Sequence, residues 1–151
     1  METIQDFEDM LELLHRHGVR YLVIGGLAFI YHAKPRYTKD MDLWIGPADA
    51  NIELANRALA DFGSPTMLGF NEPKQVVQIG VAPDRIDLIV DAGVPFDEAW
   101  AGRITGTYGR SPANWVDIDT LIAIKSRINE PRHQEDVRVL REVKRLGENR
   151  A

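Results

Sequence analysis

A chain of 151 residues, 44% of them hydrophobic, is long enough to bury a core as one domain and gives no reason to expect disorder. Its net charge of -5 speaks against a protein that holds nucleic acid by bulk electrostatics, so phosphate chemistry here calls for a metal ion. The absence of cysteine removes disulfides, thiolate zinc sites and a cysteine nucleophile, and four histidines leave little for a zinc enzyme, so oxygen ligands remain.

The N-terminal stretch lacks the basic and apolar blocks of a signal peptide, and no apolar run reaches the length of a membrane span. The expected location is therefore cytoplasmic, with no membrane partner. From Thr3 to His17 the apolar residues Ile4, Phe7, Met10, Leu11 and Leu14 recur at helical spacing, and Gly18 follows where a helix-terminating glycine belongs. His15 and His17 fall in the last turn, where cations suit the helix dipole, and read as cap residues.

Val19 to Ile24 reads as a short strand stopped by Gly25-Gly26, and Leu27 to Ala33 as a brief helix ending before Pro35. Met41 to Ile45 gives a second strand. Pro47, at an expected first helical position, opens a helix from about Ala48 to Phe62 with Leu54, Ala55, Ala58, Leu59 and Phe62 as its buried stripe. Gln75 to Val81 and Arg85 to Val90 form an expected antiparallel hairpin across Ala82-Pro83-Asp84. A helix around Phe96 to Ala101, a weak strand near Arg103 to Tyr108, and helices at Asp119 to Ile128 and Arg132 to Leu146 complete the chain. The order of elements predicts an α+β fold in which helices pack against one small mixed β-sheet. Residues 1–151 are expected to form a single domain, with about 119–151 as a C-terminal helical extension.

Asp40 and Asp42 stand one residue apart at the entry of the second strand, so alternation projects both to one face while Met41, Leu43 and Ile45 turn to the core. Two carboxylates on one face suit a hard divalent cation. Phosphoryl transfer with paired ions needs a further carboxylate from another strand, and Asp87, flanked by the apolar residues Ile86 and Leu88, is the candidate. Gly25 and Gly26 lack Cβ atoms, so their backbone can approach phosphate oxygens at the start of a helix. Trp44 lies on the same strand face as Asp40 and Asp42, which makes it a possible neighbour of a base.

Val23-Ile24-Gly25-Gly26, Asp40-Met41-Asp42 and Arg85-Ile86-Asp87 together resemble the signature of the DNA polymerase β-like nucleotidyltransferase superfamily. The closer similarity is to small bacterial nucleotidyltransferases related to the AbiEii toxins and to the minimal enzymes that accompany HEPN proteins. It is carried by Gly25-Gly26-Leu27-Ala28, by Arg36 to Leu43, and by Leu121 to Lys125 followed by Arg132 to Asp136, and extends from about residue 20 to 142.

This resemblance implies the polymerase β-like fold with C-terminal helices, and transfer of a nucleoside monophosphate from a nucleoside triphosphate to an acceptor hydroxyl, with pyrophosphate released. Asp40, Asp42 and Asp87 would be the catalytic and metal-binding residues, with two Mg²⁺ ions expected and Mn²⁺ as an alternative. Gly25, Gly26, Arg36, Lys39 and Lys125 would bind the nucleotide. The acceptor stays open between tRNA, a partner protein and a small molecule. A second reading is a non-catalytic or weakly catalytic module that binds its partner in a toxin–antitoxin pair. Asp136 matches a carboxylate of the family, and its ordinary reading is a first-turn helix residue. The larger relatives carry a more extensive helical domain than this chain, and Gln134-Glu135 stand where they commonly carry a basic residue.

Overall fold

Residues 2–81 and 83–150 are described by the computed structural model, the side chains of 149 and 150 excepted. Along the chain these are α1 (Gln5–Arg16), β1 (Tyr21–Ile24), α2 (Gly25–His32), β2 (Asp40–Ile45), α3 (Asp49–Phe62), β3 (Val76–Ile79), β4 (Arg85–Ile89), α4 (Phe96–Ala101), β5 (Ile104–Tyr108), β6 (Ser111–Trp115), α5 (Ile118–Ser126) and α6 (Pro131–Arg150). The six strands form one mixed sheet in the order β3-β4-β2-β1-β6-β5. The α+β expectation holds. Ala82 of the expected hairpin turn lies outside the described residues, and beside it Asp84 N–H donates to the Val81 carbonyl at 3.0 Å.

Register decides where the chemistry falls. β1 and β2 run antiparallel with Ile24 opposite Asp42, which carries Gly25, the next residue, over the Asp42 side chain. β2 and β4 run parallel with Asp40 opposite Arg85 and Asp42 opposite Asp87. Because these pairs share a sheet face, three carboxylates and one guanidinium gather at the same end of neighbouring strands. On the other face of β2, Met41, Leu43 and Ile45 are fully buried.

The helices fix that sheet end in place. α1 turns Phe7, Met10, Leu11 and Leu14 inward against α3 and β6. Burying a side chain of this size contributes about 1.5–3 kcal/mol. His17 then holds Asp61 near the end of α3 at 2.7 Å, the cap position expected of it. α5 starts on Asp117, whose Oδ1 accepts from Thr120 N–H at 2.8 Å, and α5 and α6 pack on each other and on α2.

Pro47 does not open α3. Ala48 is the extended residue that precedes the helix, so the proline shapes the approach one position earlier. Buried Asn51 explains the tight corner there: its side chain accepts from Arg20 N–H at 2.8 Å and donates to the carbonyls of Arg20 and Gly46 at 3.0 and 2.9 Å. The strand β6 is absent from the sequence-based expectation because Pro112 lacks an N–H and is confined to places where a ladder bond is dispensable. Its pairing with β1 is anchored at Val23 and Trp115, beyond the proline, and Thr107 of β5 faces Pro112 on the other side.

Candidate active site

Asp40, Asp42 and Asp87 each offer a carboxylate oxygen, and the three atoms lie within 4.8 Å of one another. Asp40 and Asp42 are half-buried and Asp87 is buried. Asp87 Oδ1 is buried without a hydrogen bond, with Arg85 Nε 3.1 Å away but not aligned to donate, so a metal ion would complete its coordination. The donor set is all oxygen and anionic, which fits a magnesium- or manganese-type ion.

Burial raises the Asp42 carboxyl to about 7, and repulsion from Asp40 and then Asp87 adds to it against the pull of Arg85 and Lys125. The Asp87 carboxyl is raised as well, chiefly by burial, with Arg85 opposing. A cation at this point relieves both repulsions at once.

Gly25 is indispensable to the packing of this cluster. Its φ is +66°, and a Cβ built on it would lie 2.1 Å from Asp42 Oδ2. A Cβ on Gly26 would lie 2.7 Å from Thr38 Oγ1. The close approach made possible by the glycine pair is therefore first an approach to the protein's own Asp42 and Thr38.

Across from the carboxylates the cleft is basic. Its lining comprises Gly25, Gly26, Arg36 to Asp40, Asp42, Lys125, Arg132 and His133, around a volume of about 390 Å³. Lys39 is exposed at the mouth. Lys125 is 3% exposed and donates from Nζ to Asp136 Oδ2 at 2.9 Å, while Arg36 Nη1 donates to Asp136 Oδ1 at 2.6 Å and its guanidinium lies 4.1 Å from the centre of the Phe29 ring. Burial works to raise the Asp136 carboxyl, but the hydrogen bonds from Arg36 and Lys125 outweigh it and hold the group below the ordinary carboxylate range. Burial likewise lowers the Lys125 ammonium, against the attraction of Asp136. Lys125 is thus buried rather than solvated, and Asp136 is not the first-turn helix residue of its ordinary reading but a buried counter-ion for two cleft cations.

All the site residues expected from sequence thus border one cleft or, in the case of Asp87, the carboxylate cluster at its edge. Trp44 does not. It is 1% exposed, its indole N–H donates to the Val90 carbonyl at 3.3 Å, and its ring meets Phe96 edge-on at 5.1 Å. Strand alternation holds, but beyond Asp42 that face is covered by Phe96 of α4, so Trp44 belongs to the core. Among the described side chains of α6, Arg138, Arg141, Lys144 and Arg145 are exposed, with Arg138 paired to Glu135, Arg145 to Glu142 and Lys144 to Asp119.

Arg85, Arg132 and His133 are site residues that sequence reasoning missed. Arg85 Nη2 donates to Asp40 Oδ2 at 2.7 Å and to Asp87 Oδ2 at 3.1 Å. Its position two residues before Asp87 was the available signal, since alternation puts both on one face. His133 shows no such local pattern; burial and then the cations Lys125 and Arg132 lower its imidazole.

A glycine turn at the end of β1, an Asp-x-Asp on β2 and a third aspartate on the parallel neighbour β4, backed by helices, are arranged as the polymerase β-like resemblance implies, and the fold is that of nucleotidyltransferases of known structure. No family model and no curated protein matches the sequence, but solved structures share the fold. The lincosamide antibiotic adenylyltransferase LnuA, solved with lincomycin bound, superposes with a TM-score of 0.62 at 11% identity over 95% of this chain and 99% of its own. ANT(2")-Ia, in complex with adenylyl-2"-tobramycin, gives 0.58 at 14% identity over 93% and 91%. An antigenic nucleotidyltransferase-like protein from Paracoccidioides brasiliensis gives 0.52 at 14% identity over 95% and 78%. At these identities the likeness is one of fold. Among the described residues no helix is long and apolar enough to cross a membrane.

Proposed function

We propose that this protein transfers a nucleoside monophosphate from a nucleoside triphosphate to an acceptor hydroxyl. The observation that carries the reading is the convergence of Asp40, Asp42 and Asp87 within 4.8 Å, beside a cleft whose far wall is basic. Asp40, Asp42 and Asp87 would hold Mg²⁺ or Mn²⁺, which when bound neutralises charge on the reacting phosphate and acidifies the acceptor hydroxyl.

Gly25 and Gly26 begin α2 and line the cleft, and the first N–H groups of a helix, which have no partner within it, favour phosphate oxygens. Lys125 and Arg132 from the helical wall and Lys39 at the mouth would neutralise the triphosphate, and Arg36, stacked on Phe29 and ion-paired to Asp136, lines the cleft in a fixed orientation. Asp87, with one oxygen free of hydrogen bonds, receives the proton of the attacking hydroxyl. The new bond forms between the acceptor oxygen and the α-phosphorus as the bond to pyrophosphate breaks.

A small hydroxylated molecule is the acceptor class best supported. An apolar cavity of about 600 Å³, lined by Phe7, Leu27, Ile30, Tyr31 and Tyr108, adjoins the cleft through Arg36, Tyr37 and Thr38. That volume suits a drug-sized ligand. The fold neighbours solved with lincomycin and adenylyl-tobramycin point the same way, and a net charge of -5 offers little to RNA. The test is a panel of α-³²P-labelled nucleoside triphosphates with Mg²⁺ and cell extract, fractionated into small molecules, protein and RNA. Label in the small-molecule fraction, lost with Asp42→Asn, is expected. Equal labelling by parent and variant refutes the reading, and label confined to RNA or protein refutes the acceptor class.

A further inference from the structure

Arg85 sits where a bound cation would sit. Its Nη2 bridges Asp40 Oδ2 at 2.7 Å and Asp87 Oδ2 at 3.1 Å, and its Nε lies 3.1 Å from Asp87 Oδ1 without hydrogen-bond alignment. A divalent ion held between Asp40 and Asp87 needs the same oxygens and cannot share them with a guanidinium. The side chain is 34% exposed, so it has solvent to move into.

We infer that Arg85 is the resident counter-ion of the carboxylate cluster, that it competes with the bare divalent ion, and that the protein takes up its ion together with the nucleotide. The inference rests on the nucleotidyltransferase reading. Two effects of Arg85 act in the same direction on a bare ion: it occupies the ligand oxygens, and its charge repels a second cation. A metal–triphosphate complex meets neither obstacle in full, because the triphosphate carries negative charge of its own and gives the displaced guanidinium a new planar partner. Asp42 completes the division of labour. Arg85 makes no hydrogen bond to it, so this carboxylate is not held by the guanidinium.

The test is titration of the protein with Mn²⁺ alone, followed by the electron paramagnetic resonance of the free ion. Parent, Arg85→Met and Arg85→Lys are compared, and Arg85→Gln serves as a second neutral variant should the methionine protein fail to fold. The neutral variants are expected to bind bare Mn²⁺ at least tenfold more tightly than the parent, and the lysine variant to stay within a fewfold of it. Melting temperatures with Mn²⁺ plus non-cleavable α,β-methylene nucleoside triphosphates are expected to rise for the parent more than with Mn²⁺ alone. Unchanged or weaker bare Mn²⁺ binding in the neutral variants, with a parent that does respond to Mn²⁺ plus nucleotide, overturns the Arg85 inference alone. Absence of any Mn²⁺ response in every protein, with or without nucleotide, overturns the metal-dependent reading as well.

Discussion

Replacing Asp42 by asparagine is expected to make the metal-free protein more stable while it destroys the site. The carboxyl is raised from 3.8 to about 7 by burial and by Asp40 and Asp87, so the folded state keeps this proton at a pH where the unfolded chain has lost it. Such a group stabilises the fold fully below its unfolded value, and the contribution disappears as pH rises from about 4 through about 7. With each pKa unit worth about 1.4 kcal/mol, the ceiling is roughly 4 kcal/mol, and coupling to the two other carboxylates brings the expected loss to about 2–4 kcal/mol at pH 8. Asparagine has the shape of the protonated acid and no charge to lose. For a chain of this size the variant should melt on the order of 5–10 °C above the parent at pH 8, with the gap closing towards pH 4. Thermal melts from pH 4 to 8.5, with and without Mg²⁺ and nucleotide, measure this directly. Adding the ion and nucleotide should raise the parent and leave the variant unmoved. Parallel pH profiles, or a variant less stable at pH 8, would refute the reasoning.

Other substitutions probe the parts around that carboxylate. Gly25→Ala puts a Cβ 2.1 Å from Asp42 Oδ2 at a φ of +66°, and should cost about 2–3 kcal/mol in denaturant titration and abolish nucleotide transfer. Asp136→Asn leaves Lys125 and Arg36 short of a counter-charge, so stability should fall by about 3–5 kcal/mol and the KM for the triphosphate should rise at least tenfold in steady-state kinetics. Trp44→Phe removes the hydrogen bond to the Val90 carbonyl and some core volume, lowering stability by about 1–2 kcal/mol, while an unchanged KM for the triphosphate would agree with its place in the core.

What could be read from the sequence was whatever lies within a few residues along one element. Gly25-Gly26 after an apolar strand, the Asp40-x-Asp42 spacing and an acid set in the apolar run at Asp87 all declare themselves locally, and each has its place at the site. The parallel pairing of β2 with β4, which sets Asp42 opposite Asp87, involves strands separated by α3 and β3 and has no local signal. The same holds for Asp136: nothing near it in sequence announces that Arg36 lies within hydrogen-bonding reach. Trp44 shows the converse. Its face was correctly given by alternation, but whether that face meets solvent depended on where α4 packs.

The ion cluster of Arg36, Asp136 and Lys125 ties the cleft to the last helix. One cation comes from the loop before β2, the other from α5, and the carboxylate that neutralises both comes from α6. The β1–α2–β2 unit with its aspartate pair is therefore contiguous in the chain, whereas the basic wall of the cleft gets the charge that holds it in place from a distant helix. The basic wall of the cleft is thus complete only with α6 docked, and anything that loosens α6 also loosens Arg36 and Lys125.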